Sequence, residues 1–146
     1  MILKIKKLCE SAGVPFRATP GSAGMDLKAC IKEPVTINPG ERKTVSTGLA
    51  IALESPDYVA LIFARSGLAV KLGITLSNCV GVIDSDYRGE LKVGLINQSN
   101  ESYTVNNGER IAQLVILPVV LPEVLIVDEL DQTERNNGGF GSTGKV

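Results

Sequence analysis

The chain alternates short apolar runs with clusters of turn residues along most of its length. The runs are rich in Val, Ile, Leu and Thr, and several alternate apolar with polar positions, which is the period of a half-buried β-strand. Glycine, proline and asparagine separate the runs and predict tight turns. The pattern predicts strands over residues 2–8, 26–31, 35–37, 44–53, 58–64, 74–76, 90–97, 102–105, 111–120 and 124–127.

Many short strands with frequent turns are typical of an all-β sandwich, jelly roll or barrel. A helical pattern is limited to residues 67–72. With 146 residues, 44% of them hydrophobic, the chain is long enough to bury a core. The sequence becomes polar after residue 127, so we predict a β domain over residues 1–127 and a mobile C-terminal arm over residues 128–146.

An acidic segment stands between two of the strand-like runs. It places Asp84, Asp86 and Tyr87 between an apolar approach that ends at Ile83 and the alternating residues 91–97. We predict a β-hairpin whose tip carries two carboxylates and an aromatic ring. A carboxylate that is ionised at neutral pH can orient and deprotonate a water molecule. An acidic turn without a chemical role has the same pattern, because Asp and Gly favour turns for conformational reasons.

Composition removes several classes of function. The 15 basic and 16 acidic residues give no electrostatic case for nucleic acid or membrane as the main partner. The sequence has no histidine, which excludes Ser-His and Cys-His triads, so any metal is a hard ion held by oxygen, such as Mg²⁺. Cys9, Cys30 and Cys79 lack the number and spacing of a disulfide framework or zinc site and fit reduced thiols in a cytosol. The first ten residues have a strand pattern rather than that of a signal peptide.

Two segments near predicted strand ends suit a phosphate or its metal. Asp26 opens a strand and can hold a hydrated cation. Arg65, Ser66 and Gly67 follow another strand at the start of the predicted helix, where guanidinium, hydroxyl and backbone amides together form an anion site. The ordinary alternatives are a turn acid at residue 26 and a serine cap at residue 66.

Two polar residues lie early in a strongly apolar strand. These are Arg110 and Gln113, and polar groups that point inward from such a strand need a partner. That partner is either a ligand or a neighbouring backbone group.

The chain ends in a glycine-rich segment, Gly-Gly-Phe-Gly-Ser-Thr-Gly-Lys at residues 138–145. It matches the spacing of a dinucleotide fingerprint and imitates a phosphate loop, but no strand precedes it and too few residues follow to form a helix. Its chemistry still suits a nucleotide, because glycine amides with the hydroxyls of Ser142 and Thr143 can bind phosphate and Phe140 can stack on a base. A disordered terminus is the alternative.

Together these segments describe a nucleoside triphosphate site whose general base is a carboxylate. In this combination the sequence resembles the trimeric dUTP pyrophosphatase (dUTPase) family. The five motifs of that family match in order, at residues 23–29, 65–69, 78–97, 108–114 and 138–144. The resemblance implies a homotrimer of jelly-roll-like subunits, with active sites at the subunit boundaries and the tail of one chain closing over a site built by others.

The resemblance also implies a reaction. Water and dUTP give dUMP and pyrophosphate, with Mg²⁺ on the triphosphate; this limits uracil in DNA and supplies dUMP for thymidylate synthesis. Asp84 is implied as the base that activates the water attacking the α-phosphorus, and Asp26 as the residue that holds Mg²⁺ through water. Tyr87 is implied to pack against the deoxyribose and leave no space for a 2′-hydroxyl.

The remaining implied roles concern the base and the phosphates. Asn78 and the backbone at Val82 and Ile83 are implied to read the uracil edge, with Lys92 close by. Phe140 is implied to lie over the uracil. The other implied substrate contacts are Arg65, Ser66, Gly67 and Gln113 from the domain, and Arg135, Gly141, Ser142 and Thr143 from the tail.

One departure from the family pattern concerns the tail. Asn136 and Asn137 follow Arg135 where the family usually has a glycine next. Asparagine tolerates left-handed backbone angles better than most residues, so we expect the turn to persist with altered mobility.

Three rival functions remain open at this level. One is a dCTP deaminase, or a bifunctional deaminase and pyrophosphatase, on the same fold; release of ammonia from dCTP identifies it. Another is a non-enzymatic sensor that binds dUTP and signals through a partner. The third is a purely structural trimeric β domain.

Overall fold

Side chains along several strands alternate between buried and exposed positions. The apolar runs form sheets because this alternation lets one face of a sheet cover the core. The structure is a computed structural model that describes residues 2–139. The described range contains one helix, α1 (Ser66–Leu72). Its strands are β1 (Lys4–Lys7), β2 (Met25–Lys28), β3 (Val35–Ile37), β4 (Arg42–Ser46), β5 (Leu49–Ala52), β6 (Tyr58–Phe63), β7 (Ile74–Leu76), β8 (Gly81–Ile83), β9 (Lys92–Asn97), β10 (Tyr103–Val105) and β11 (Arg110–Pro118).

The strands form four antiparallel sheets within the described range. A four-stranded sheet has the order β2-β11-β6-β8 and a three-stranded sheet has the order β4-β9-β7, while β1-β5 and β10-β3 are two-stranded. Every second side chain of β9 is buried, so one face of each strand covers a shared hydrophobic core. The predicted all-β architecture with one short helix is confirmed.

One long predicted strand is divided in two. Residues 44–53 form β4 and β5, and the chain breaks at Thr47 and Gly48, where Gly48 has a φ of 67°. The buried Thr47 hydroxyl donates to the Leu91 carbonyl at 2.6 Å, and the Gly48 amide donates to Glu90 Oε1 at 2.9 Å. The break therefore anchors the chain as it returns from the acidic segment.

The predicted hairpin around the acidic segment is wrong in its pairing. β8 pairs with β6, whereas β9 pairs with β4 and β7, so residues 84–91 cross from one sheet to another. Leu91 is fully buried and its amide donates to the Leu49 carbonyl at 2.7 Å, which holds the returning chain on the second side of the core. The alternation of apolar and polar side chains is the same whether β8 pairs with β9 or with β6. The local pattern therefore could not distinguish the two pairings.

The cysteines differ from the sequence expectation. The sulfur atoms of Cys9 and Cys30 are paired across a sequence separation of 21, and Cys79 is free and exposed. This pairing depends on the fold, which brings the chain after β1 beside the end of β2, and no local spacing signals it. No helix within residues 2–139 is long and apolar enough to cross a membrane.

The segment that follows β11 leaves apolar side chains in solvent. Residues 119–139 contain no helix or strand, so the strand predicted over residues 124–127 is absent. Val120, Val124, Leu125, Ile126 and Leu130 are each more than 80% exposed. The predicted boundary between domain and arm at residue 127 stays a prediction.

Candidate active site

One end of the four-stranded sheet carries a cavity of about 390 Å³ with a mainly cationic and polar lining. Its walls come from the loop before β2, from β2 itself, from the first residues of α1 and from the start of β11. The predicted site residues among its lining are Asp26, Arg65, Ser66, Gly67 and Gln113, and Arg110 joins them. The structure thus brings three separated sequence segments together, as predicted for a phosphate site.

Asp26 links two arginines in this cavity. Its Oδ1 accepts from Arg65 Nε at 2.8 Å and its Oδ2 accepts from Arg110 Nη1 at 3.0 Å. Arg65 Nη1 also donates to the Arg110 carbonyl at 3.3 Å. Side-chain exposure is 12% for Asp26, 25% for Arg65 and 45% for Arg110, so the carboxylate lies below and the guanidinium groups reach the solvent. Two positive charges and one negative charge leave this cluster with a formal charge of +1, which suits an anion.

Backbone geometry places the remaining groups of the cavity. Arg65 occupies the N-cap position of α1 without a side-chain cap hydrogen bond, so the serine cap considered from the sequence does not form. Ser66 and Gly67 are exposed in the first turn. Gln113 donates to the Ala64 carbonyl at 2.9 Å. A Cβ atom at Gly24 would lie 2.6 Å from Gln113 Oε1, so the glycine provides the room that this amide occupies.

The donors in this cavity fit Mg²⁺ through water rather than directly. Asp26 is the single carboxylate among the lining residues, and no cluster of three or more His, Cys, Asp or Glu side chains occurs within the described chain. A carboxylate has about four acceptor positions, of which the two arginines use one on each oxygen. The remaining positions can accept hydrogen bonds from metal-bound water, and the magnesium role of Asp26 stays a prediction.

A partly buried tyrosine lies near the same guanidinium. Tyr103 on β10 donates its hydroxyl hydrogen to Glu109 Oε1. Burial, followed by the hydrogen bond and the negative charge of Glu109, raises the pKa of Tyr103 far above its usual value, while the positive charge of Arg65 acts in the opposite direction. Tyr103 therefore stays neutral at physiological pH and keeps its hydrogen bond to Glu109.

A second, smaller pocket of about 210 Å³ opens beside the acidic segment. It is lined by Val82, Ile83, Asp84, Tyr87, Glu90 and Lys92. Because β8 is the edge strand of its sheet, half of its backbone N–H and C=O groups point away from β6 and are available to a ligand. The divergence of β8 and β9 into different sheets creates the space between them. Five of the predicted residues line this pocket.

Local hydrogen bonds shape the acidic segment. The Tyr87 amide donates to the Asp84 carbonyl at 3.2 Å, and the Tyr87 hydroxyl donates to the Glu90 carbonyl at 3.1 Å. Arg88 Nη1 donates to the Ser85 carbonyl at 2.7 Å. Lys92 Nζ lies 3.7 Å from Glu90 Oε2. These contacts hold the Tyr87 ring folded over the turn and leave the Asp84 side chain exposed.

The acidic segment lies toward the start of β6, whereas Arg65 follows the end of that strand. Ile83 pairs with Ala60, and Arg65 follows Ala60 by five residues in the same direction along β6. At about 3.3 Å per residue this separates the residues beside Asp84 from Arg65 by about 17 Å along the strand. One chain alone therefore does not bring Asp84 to the phosphate cavity.

Several predicted residues stand outside both pockets. Asn78 is exposed in the turn before β8, close to Gly81. Arg135 donates to the Gly138 carbonyl at 2.9 Å. The predicted contacts at Phe140, Gly141, Ser142 and Thr143 lie outside the described residues.

Two residues of the pockets were not assigned from the sequence. Arg110 was noted only as a polar residue that needs a partner, and that partner is Asp26. Glu90 lines the smaller pocket, and its Oε1 accepts a hydrogen bond from the Gly48 amide. The charged side chain of Arg110 at the start of an apolar strand was the available signal for that residue. No signal marked Glu90.

Comparison with known proteins gives a consistent result. Residues 10–144 match the dUTPase family model. Deoxyuridine 5′-triphosphate nucleotidohydrolase of Idiomarina loihiensis is 52% identical over 95% of this chain and 92% of that protein, and the Burkholderia ambifaria protein of the same name is 55% identical over 90% and 89%. Among solved structures, the dUTPase of Staphylococcus bacteriophage 80alpha with dUPNHPP has a TM-score of 0.89 at 30% identity and 98% coverage of both chains. A mutant dUTPase from phage phi11 of S. aureus, described with a structural Mg(II) ion, has a TM-score of 0.82 at 26% identity, over 90% of this chain and 100% of that one. The jelly-roll-like fold is thereby confirmed, and the chain belongs to the dUTPase family.

Proposed function

We propose that this protein hydrolyses dUTP to dUMP and pyrophosphate, which limits uracil in DNA and supplies dUMP for thymidylate synthesis. The observation that carries the proposal is the division of the predicted residues into two groups that suit the two halves of a nucleotide. One group surrounds a cavity with a formal charge of +1, which suits phosphates. The other lines a pocket at a free strand edge with an exposed carboxylate, which suits a base, a sugar and an attacking water molecule.

Asp84 acts as the general base. Its carboxylate takes a proton from water as the water oxygen forms a bond to the α-phosphorus, and the bond from that phosphorus to the bridging oxygen of pyrophosphate breaks. Phosphoryl transfer requires mainly positioning and neutralisation of charge. Arg65, Ser66, Gly67 and Gln113 provide donors to the phosphate oxygens, so no covalent nucleophile is needed.

The base and sugar are read by the pocket between β8 and β9. Backbone groups of Val82 and Ile83, with Asn78 and Lys92 nearby, hydrogen-bond the uracil edge. Cytosine reverses a donor and an acceptor on that edge and leaves buried groups unpaired, which can lower the specificity constant about 10⁴-fold. The ring of Tyr87 packs against the deoxyribose and excludes a 2′-hydroxyl.

Asp26 is the residue that would hold Mg²⁺ beside the triphosphate. Asp26 holds the hydrated ion through the acceptor positions that the arginines leave open, since both carboxylate oxygens already accept from guanidinium groups. When bound, Mg²⁺ neutralises charge on the triphosphate and assists departure of pyrophosphate.

The active enzyme is a homotrimer with shared sites in the cytoplasm. The separation of about 17 Å between Ile83 and Arg65 in the direction of β6 supports this arrangement, because Asp84 of one subunit would then meet the phosphate cavity of a neighbour. The tail of a subunit closes the site: Arg135, Gly141, Ser142 and Thr143 contact phosphates, and Phe140 covers the uracil. Neither a nucleic acid nor a membrane is part of the assembly.

Parallel assays of pyrophosphate release from dUTP, dCTP, dTTP and UTP test the proposed reaction, first with Mg²⁺ and then with chelator. We expect strong, magnesium-dependent release from dUTP alone. Release of ammonia from dCTP identifies the deaminase alternative. If a folded protein hydrolyses none of the four nucleotides, the activity is wrong, and measured dUTP affinity then separates a binding module from a structural domain.

A further inference from the structure

The paired sulfur atoms of Cys9 and Cys30 lie against the part of the chain that supports the smaller pocket. We propose that this pair is a reversible thiol–disulfide exchange site for low-molecular-weight thiols and disulfides, and that its oxidation state changes nucleotide binding through Gly48 and Glu90. The inference rests on the proposed cytoplasmic location and nucleotide site, to which it adds a redox response. Glu90 is a positioning residue here, because it connects the sulfur pair to the pocket.

The first argument is that the pair is accessible and has a hydrogen-bond donor beside it. Cys9 and Cys30 are partly exposed and lie at the margin of the core. The Ser11 hydroxyl lies 3.4 Å from Cys9 Sγ and 3.6 Å from Cys30 Sγ. It can donate to either sulfur as a thiolate, which is the form that reacts. Disulfides of cytosolic proteins are usually transient or redox-sensing, so we expect this bond to open and close.

Oxidation of the pair uses a small disulfide as the electron acceptor. The thiolate of one cysteine attacks a sulfur of that disulfide, breaks its S–S bond and releases one small thiol, which leaves a mixed disulfide on the protein. The thiolate of the second cysteine then attacks the protein sulfur of the mixed disulfide and releases the second small thiol. Two electrons and two protons pass from the cysteine pair to the two released thiols. Reduction is the reverse reaction.

The second argument is the contact between the sulfur pair and Gly48. A Cβ atom at Gly48 would lie 2.9 Å from each sulfur, so the pair packs directly on the α-carbon of this residue. The Leu8 amide donates to the Gly48 carbonyl at 2.8 Å, and the Cys30 amide donates to the carbonyl of residue 46 at 2.8 Å. Bonded sulfurs lie about 2.0 Å apart, whereas unbonded sulfurs need van der Waals separation. Reduction therefore changes the packing against Gly48.

The third argument is the connection from Gly48 to the smaller pocket. The Gly48 amide donates to Glu90 Oε1 at 2.9 Å. The Glu90 carbonyl accepts from the Tyr87 hydroxyl at 3.1 Å, and Glu90 Oε2 lies 3.7 Å from Lys92 Nζ. All three of these side chains line the pocket. We expect the disulfide form to hold Glu90 in this position and the dithiol form to loosen it.

Thiol trapping on the intact wild-type protein tests the exchange site. The protein is equilibrated with mixtures of reduced and oxidised glutathione, free thiols are alkylated, and peptide masses are measured. We expect Cys9 and Cys30 to be protected together, with the dependence on the glutathione ratio of a two-electron couple. Cys79, which is free and exposed, is the internal reference for an unpaired thiol.

Calorimetry with dUMP tests the connection to the pocket. We expect the oxidised wild type to bind dUMP about fivefold more tightly than the reduced wild type, the effect of weakening one hydrogen bond. Cys9→Ser should bind like the reduced protein under both conditions. Glu90→Ala should abolish the difference between the two conditions. Glu90→Gln keeps an oxygen that can accept from the Gly48 amide, so it should retain most of the difference.

Three outcomes would overturn the inference. Both cysteines are alkylated at every glutathione ratio; the oxidised and reduced wild type bind dUMP equally; or Glu90→Ala keeps the full difference. If Cys9→Ser does not fold, the two forms of the wild type decide the comparison. Trapping needs no nucleotide, so a protein that exchanges its disulfide but does not bind dUMP would contradict the proposed function and not the exchange site.

Discussion

The Tyr87 ring lies where a side chain of Gly89 would be. A Cβ atom at residue 89 would approach Tyr87 Cζ to 2.5 Å, so the ring can fold over the turn only because residue 89 has no side chain. Gly89 is not among the residues with positive φ, and its role is therefore space rather than backbone conformation.

We expect Gly89→Ala to displace the Tyr87 ring and reduce discrimination against UTP. The ratio of kcat/KM for dUTP to that for UTP should fall about tenfold, the effect of a small change of shape in a closed pocket. Steady-state assays with both nucleotides measure it. Gly21→Ala is the matched control, because no heavy atom lies within 4 Å of its Cβ position. An unchanged ratio in Gly89→Ala would show that the ring position does not select the sugar.

Substitution of the general base should separate binding from chemistry. Asp84→Asn keeps the size of the side chain but cannot take a proton, so kcat should fall by about 10² to 10⁴-fold while a non-hydrolysable dUTP analogue still binds. Pyrophosphate release and calorimetry measure the two quantities. Asp86 is two residues away and does not line the smaller pocket, so Asp86→Asn should retain turnover. The assignment is wrong if the two variants behave in the reverse way.

Mixed trimers test whether two chains build one site. Asp84→Asn and Arg65→Gln should each be nearly inactive alone. When they are co-expressed, a site that takes Asp84 from one subunit and Arg65 from the next is intact in about a quarter of cases in a randomly mixed cyclic trimer. Activity should therefore recover to about a quarter of that of the wild type.

The control for this experiment pairs Asp84→Asn with the double variant that also carries Arg65→Gln. No site in that mixture has a working base, so no recovery is expected. A mixture of the two single variants that stays as inactive as its components would place the whole site within one chain.

Removal of residues 135–146 should leave a folded trimer with very low activity. The truncation lies beyond β11, which ends at Pro118, so the sheets and the core are unaffected. The site would stay open to water and lose its tail contacts, and we expect kcat/KM to fall about a hundredfold. Light scattering and thermal unfolding check the assembly. Full activity of the shortened protein would show that the tail is dispensable.

Tyr103 should make the protein sensitive to alkali. Its pKa is raised in the folded state, first by burial and then by Glu109, so the folded protein holds the phenolic proton more tightly than the unfolded chain does. The stabilisation is complete below the unfolded pKa of 10.0 and is lost progressively as the pH rises above that value. Thermal unfolding between pH 8 and pH 11, at roughly half-unit steps, measures the loss.

Two variants are compared with the wild type. Tyr103→Phe is the test variant, and Tyr58→Phe is the control that removes a tyrosine hydroxyl elsewhere, on β6. Tyr103→Phe removes the titrating group, so its stability should fall less steeply above pH 10.0 than that of the wild type. At neutral pH it should be less stable by about 1 kcal/mol, because the hydrogen bond to Glu109 is lost. Equal alkaline slopes in the wild type and Tyr103→Phe would contradict the prediction.

Local patterns predicted most of the strands, whereas the grouping of the phosphate residues followed from the resemblance of the motifs to a family. Strands such as β3 and β7 have the predicted bounds because alternation and turn residues are local properties. Asp26, Arg65 and Gln113 meet in one cavity as the motifs implied. For the strands a few neighbouring residues contain the necessary information, but the grouping of the cavity residues required the order of all five motifs.

The pairing of these strands with one another could not be predicted from local patterns. β8 pairs with β6, and Leu91 is buried on the other side of the core; no pattern within residues 78–97 contains these contacts. The salt bridges of Asp26 and the pairing of Cys9 with Cys30 likewise join residues that are distant in sequence. Such contacts depend on how complete sheets pack, which an isolated segment does not determine.

The exposed apolar segment after β11 would make the stability of the assembled enzyme depend on its concentration. In the proposed trimer, cover of Val120, Val124, Leu125 and Ile126 by a neighbouring subunit would remove them from water, so part of the stabilising free energy would arise on association. For a trimer, each tenfold dilution weakens the assembled state by about 2.7 kcal/mol per trimer. In that assembly, a lower expression level would reduce both the number of active sites and the lifetime of each one.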